Sequence, residues 1–116
     1  MRIVRMYTGG DGRSHFEDLP VPESRGPGEV AELELPPVNA AVLRSGTRGC
    51  GGWQRAPRRQ YVITLAGEIE IEVGDGSTRR FGPGDVLLAE DVEGEGHRVR
   101  VLGPEARVAL SLAIGP

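Results

Sequence analysis

Residues 67–73 read GEIEIEV, and residues 74–91 continue as GDGSTRRFGPGDVLLAED. In the first seven, Ile69, Ile71 and Val73 alternate strictly with Glu68, Glu70 and Glu72. Successive side chains of an extended chain point to opposite sides, so this is a strand with one buried and one wet face. GDGS at 74–77 is a hairpin turn that returns the chain as the short strand TRRF. FGPGD at 81–85 turns it again, with Pro83 presetting φ, and DVLLAE at 85–90 makes the next strand.

The same pattern extends both ways. Downstream, EGEGH at 93–97 is a glycine-rich bend followed by the strands HRVRVLG and RVALSLAI. Upstream, MRIVRMY, GEVAELEL and NAAVLR read as strands, the first two separated by the Pro-rich connection DLPVPESRGPG at 18–28. No run of ten or more residues carries a 3.6-residue period. Eight or nine short strands with turns every 8–12 residues predict an all-β sandwich or jelly roll. The 116 residues suffice for one core, so residues 1–116 are expected to form a single domain.

Composition narrows the chemistry. A net charge of −3 argues against a nucleic-acid-binding surface. All 14 basic residues are arginine, so no lysine is present to form a Schiff base. The single cysteine, Cys50 in GCGG, excludes an internal disulfide, fits a reducing compartment, and reads as a spectator thiol in a loop. The N-terminus lacks a signal-peptide apolar segment, and no apolar stretch approaches the ~18 residues of a membrane span. A soluble, cytoplasmic protein is expected, with no membrane partner.

Two segments, WQRAPRRQYVITLAG at 53–67 and GDVLLAEDVEGEGH at 84–97, resemble the two sequence motifs of the cupin superfamily. Gly67 fits the closing glycine of the first motif, Gln60 stands where the family often has Glu, and the paired-histidine positions fall on Gln54 and Ala56. In the second, Gly84, Gly94 and His97 fit, with Val92 in place of proline. The resemblance implies a double-stranded β-helix (jelly-roll) barrel, commonly paired as a homodimer. It also implies a transition metal held by two histidines and a carboxylate from the first motif and one histidine from the second. Of those four ligands the chain keeps only His97. Gln54 and Gln60 offer neutral amides and Ala56 offers nothing, so no metal and no other cofactor is expected.

What is left is a pocket for a small-molecule ligand. With Gln60 pointing inward, Val62 and Thr64 follow it, and Gln54 shares that face. His97 is the candidate general acid or base, because imidazole changes charge near neutral pH; the alternative is a buried ring satisfied by the backbone. His15 either completes a pair with His97 or sits in an exposed loop. Glu90 follows Val86 and Leu88 at even spacing, so it either faces His97 as a carboxylate partner or marks where the strand reaches solvent. Trp53 reads as a stacking wall or a lid over one end of the core. Arg58, with Arg59, either anchors a substrate carboxylate or forms a solvated edge.

Three functions fit these residues. The first is a metal-independent enzyme performing proton transfer on a small metabolite: isomerisation, epimerisation, cyclisation or elimination. The second is a non-catalytic ligand-binding or sensor protein. The third is a metal-dependent dioxygenase or isomerase with an unusual ligand set. The Arg-only, Gly- and Ala-rich composition suggests a bacterial source.

Overall fold

The computed structural model describes residues 1–46 and 51–115, so Cys50 lies outside the described residues. These form nine strands and no helix: β1 (Ile3–Thr8), β2 (Ser14–Leu19), β3 (Val38–Ser45), β4 (Gln60–Ala66), β5 (Glu68–Val73), β6 (Thr78–Phe81), β7 (Val86–Glu90), β8 (His97–Leu102) and β9 (Val108–Ile114). They build two sheets, one ordered β2-β1-β7-β4-β9-β3 and the other β6-β5-β8. β1 and β7 run parallel and the other neighbours are antiparallel. The architecture is a jelly-roll-like β-sandwich.

The alternation in GEIEIEV is the hinge of the packing. Ile69, Ile71 and Val73 point inward and join Phe81, and they meet Val4, Met6, Leu87 and Ala89 from the larger sheet. Outside, Glu70 is flanked on both sides by cations from neighbouring strands, and Glu72 on one side. Arg98 donates to Glu72 at 2.8 Å, and Arg100 and Arg80 meet Glu70 at 2.7 and 3.4 Å. Opposite charges placed directly across strands favour this register, each pair weakly because it is exposed.

The outer face of the six-stranded sheet carries a second apolar cluster, Ile3, Tyr61, Leu88 and Ile114, with Leu35 packed against it. Leu35 belongs to GEVAELEL, which forms no strand. Its alternation is real, but it pairs with no described strand and lies mostly exposed. Conversely SHFEDL, which is not among the strands read from the sequence, is β2. It pairs with β1 as a hairpin and turns Ser14 and Phe16 inward.

Candidate active site

Between the two sheets is a cavity of about 260 Å³. Its apolar walls include Met6, Val62 and Leu87 from the large sheet, and Ile69, Ile71 and Val99 from the small one. Gln54, Ala56, Gln60 and His97 all line it, so the structure brings together the four positions of the metal-ligand frame. One imidazole and two amides do not fit a tightly held transition metal. Among the described residues, no three His, Cys, Asp or Glu side chains converge as metal donors.

The segment carrying Gln54 and Ala56 is held by backbone bonds. Gln54 N–H donates to the His97 carbonyl and His97 N–H to the Gln54 carbonyl, both at 2.8 Å. Ala56 N–H donates to the Asp91 carbonyl at 3.0 Å. This approach depends on Gly96, whose φ is +78°. A side-chain carbon there would stand inside van der Waals contact of the Gln54 carbonyl and 2.8 Å from Arg55 N.

His97 is buried, and its Nδ1 lies 2.6 Å from Oδ2 of Asp91, which is fully buried. Ser14 Oγ donates to the same oxygen at 2.7 Å. An ionised carboxylate can only accept, so facing one Nδ1 carries a proton, and in the neutral ring the lone pair is then on Nε2. This fixes both the tautomer and the plane of the ring. The arrangement, a buried carboxylate behind an imidazole at the cavity wall, is one that can accept a proton.

Asp91 and Ser14 were not legible as site residues, and Glu90 takes a different place from the inward one open to it. On β7 the inward row is Leu87, Ala89 and then Asp91; Val86, Leu88 and Glu90 face outward. There Glu90 receives hydrogen bonds from Arg5 and Arg59, both at 2.7 Å. Burial pulls its carboxyl upward, but the two arginines outweigh burial and leave it below the usual carboxylate range. A carboxyl depressed in the folded state contributes stability above its unfolded value, near 4.3, and loses it as pH falls through the folded one. Glu90→Gln is therefore expected to cost about 1–2 kcal/mol at neutral pH, discounted for the exposure of Arg59. Denaturant melts of the two proteins should converge as the pH is lowered below about 4.

The other candidates separate cleanly. His15 is turned away from His97, because alternation on β2 puts Ser14 inward; its ring meets Asp11 at 2.9 Å and tilts on Tyr7. Trp53 is 46% exposed and lies outside the cavity, its ring beneath the Arg98 guanidinium at 5.1 Å. Arg58 is exposed and does not line the cavity. Val62 lines the cavity, while Thr64 is buried and accepts a hydrogen bond from Arg107 at 3.1 Å. Arg107 itself, with Arg44 and Arg55, lines the cavity and had no sequence signal. Burial, and then the nearby Arg44 charge, pull its guanidinium below its usual value.

No family model matches the chain, and no curated protein matches it. Among solved structures, it is similar to the crystal structure of protein NMB1881 from Neisseria meningitidis. The two share 17% sequence identity with a TM-score of 0.49, over 72% of this chain and 89% of that one. Among the described residues, no helix is long and apolar enough to cross a membrane.

Proposed function

We propose that this chain is a cytoplasmic, cupin-like, metal-independent enzyme that moves a proton on a small organic metabolite, with His97 as the base. The observation that supports this most directly is the Asp91–His97 contact of 2.6 Å at the cavity wall. Nε2 takes a proton from a carbon or hydroxyl of the substrate, and Asp91 stabilises the imidazolium that forms. Gln54 and Gln60, which line the same cavity, are neutral hydrogen-bonding posts that orient the substrate. The proton returns from Nε2 to another atom of the substrate, as isomerisation requires, or a proton is restored to the opposite face of the same carbon, as epimerisation requires, or it departs with a leaving group, as elimination requires. No oxidant or cofactor enters that balance. In this reading the protein works as a homodimer, and β3, one of the edge strands and with Leu43 70% exposed, is a candidate for the pairing.

The test is a comparison of variants on a substrate found by screening small metabolites for turnover. His97→Ala should lower kcat by at least about a hundredfold and abolish the pH dependence of the rate. Gln54→Ala and Gln60→Ala should chiefly raise KM where their bonds form equally in the ground and transition states. Full activity in His97→Ala would place the base elsewhere. Tight binding without turnover of any compound would make the protein a ligand-binding module.

A further inference from the structure

The cavity is lined by three arginines, Arg44, Arg55 and Arg107, and by no aspartate or glutamate. That is unusual within this chain. Most of its arginines meet a carboxylate in an ion pair. The three at the cavity meet none among the described residues, and Thr47, Arg48, Gly49 and Cys50 bring no acidic side chain. The acidic residues outnumber the basic ones, 17 to 14, so the pattern is one of placement rather than shortage.

Arg107 is the most committed of the three. One of its terminal nitrogens donates to Thr64 Oγ1 at 3.1 Å, and its Nε is buried with no hydrogen-bond partner among the described residues. Arg44 stands on the neighbouring strand, where it pairs with Ala109, and Gly46 N–H donates to the Arg107 carbonyl at 2.7 Å. Arg44 is exposed and Arg107 partly buried, and a like charge beside a buried unsatisfied donor carries a cost that an anion would remove. The cations also sit at a defined remove from the base. Gln60, at the His97 end, and Thr64, at the Arg107 end, are four residues apart on β4, about 13 Å of strand before the long arginine side chain reaches back.

We propose that the cavity binds a small carboxylic acid as its anion, with the carboxylate on Arg107 and Arg44 and the reacting atom at His97; this rests on the proton-transfer reading of the same site. A guanidinium matches the two coplanar oxygens of a carboxylate. A phosphate is commonly cradled by the backbone N–H groups of a helix N-terminus, and the described chain has no helix. The volume of about 260 Å³ lies just below the range of drug-sized pockets, which sets the acid as a small one.

The experiment measures binding to the full chain by calorimetry, with butyrate and benzoate as probes against butyramide and benzamide, and inorganic phosphate as a third arm. Each acid should bind about tenfold or more tightly than its amide, and Arg107→Gln should bring that ratio to within about twofold. Arg107→Met should melt at a higher temperature than the parent in anion-free buffer, because it removes a buried unpaired charge, and the order should reverse at saturating benzoate. Should the Arg107 variants fail to fold, Arg44→Gln carries the same comparison with a smaller loss. Amides matching their acids in the parent protein overturn the proposal, as does an unchanged ratio in Arg107→Gln or phosphate displacing both acids at lower concentration. His97→Ala should keep the ratio. A ratio that survives while turnover ignores His97 overturns proton transfer alone, and a lost ratio with turnover still dependent on His97 overturns the acid alone.

Discussion

Asp91→Asn should lower kcat by about a thousandfold with little change in KM. Both the Ser14 hydroxyl and His97 Nδ1 meet the same oxygen, Oδ2, while Oδ1 is buried without a partner. An asparagine has two ways to fit. With its carbonyl at the Oδ2 position it keeps both bonds but buries an unpartnered NH₂, which costs about 1–3 kcal/mol. With its NH₂ there it donates to Nδ1, and the ring must then carry its proton on Nε2, where it can no longer accept one. Either orientation removes the negative charge that stabilises the imidazolium. Steady-state kinetics give the rate, and ¹⁵N spectra of the ring report the tautomer. A kcat within tenfold of the parent would reduce Asp91 to a purely structural role.

Gly96→Ala should destabilise the fold by about 3 kcal/mol or more, the sum of a left-handed residue and two strained backbone bonds. The methyl group cannot coexist with the Gln54 carbonyl, so the two reciprocal bonds between Gln54 and His97 must stretch or break. A loss of that size lowers the melting temperature by about 10–20 °C in a domain of this length. It also moves Gln54 and His97 apart, so activity should fall further than the loss of folded protein explains. Gly10→Ala is the control: its added carbon meets nothing within 4 Å, and its effect should stay within about 0.5 kcal/mol. Equal melting temperatures for the two variants would mean that the 53–56 segment is not held where the structure places it.

The strands and turns from Gly67 to Asp85 were legible because glutamates mark the wet face of β5, so only one phase buries apolar side chains. The next strand offered no such mark. In VLLAED both alternating rows are apolar and both end in an acid, Val86-Leu88-Glu90 and Leu87-Ala89-Asp91. The phase was settled only by packing: Gln60 faces inward across from Ala89, which brings Asp91 rather than Glu90 to His97. Ser14 escaped notice because SHFEDL has too few apolar residues to announce a strand, and its partner β1 supplies the register. GEVAELEL shows the reverse failure, an alternation with no ladder to join. Gln54, Gln60 and His97 were found through motif spacing. Arg107 follows an irregular loop and has no motif, so only the burial of its guanidinium reveals it.

The order β2-β1-β7-β4-β9-β3 has a kinetic meaning. Apart from the β1–β2 hairpin, every neighbouring pair in that sheet joins strands distant in sequence. Only β5–β6 offers a comparably local start in the other sheet. Long loops must close before such contacts repay their entropy, which puts folding in the millisecond-to-second range typical of sandwiches. β9 enters between β4 and β3 and brings Ala109 and Ser111 to the cavity, with Arg107 just ahead of it. Until it docks, the cavity lacks the wall that carries Arg107, so the proposed anion site exists only once the strand last in sequence has joined the sheet.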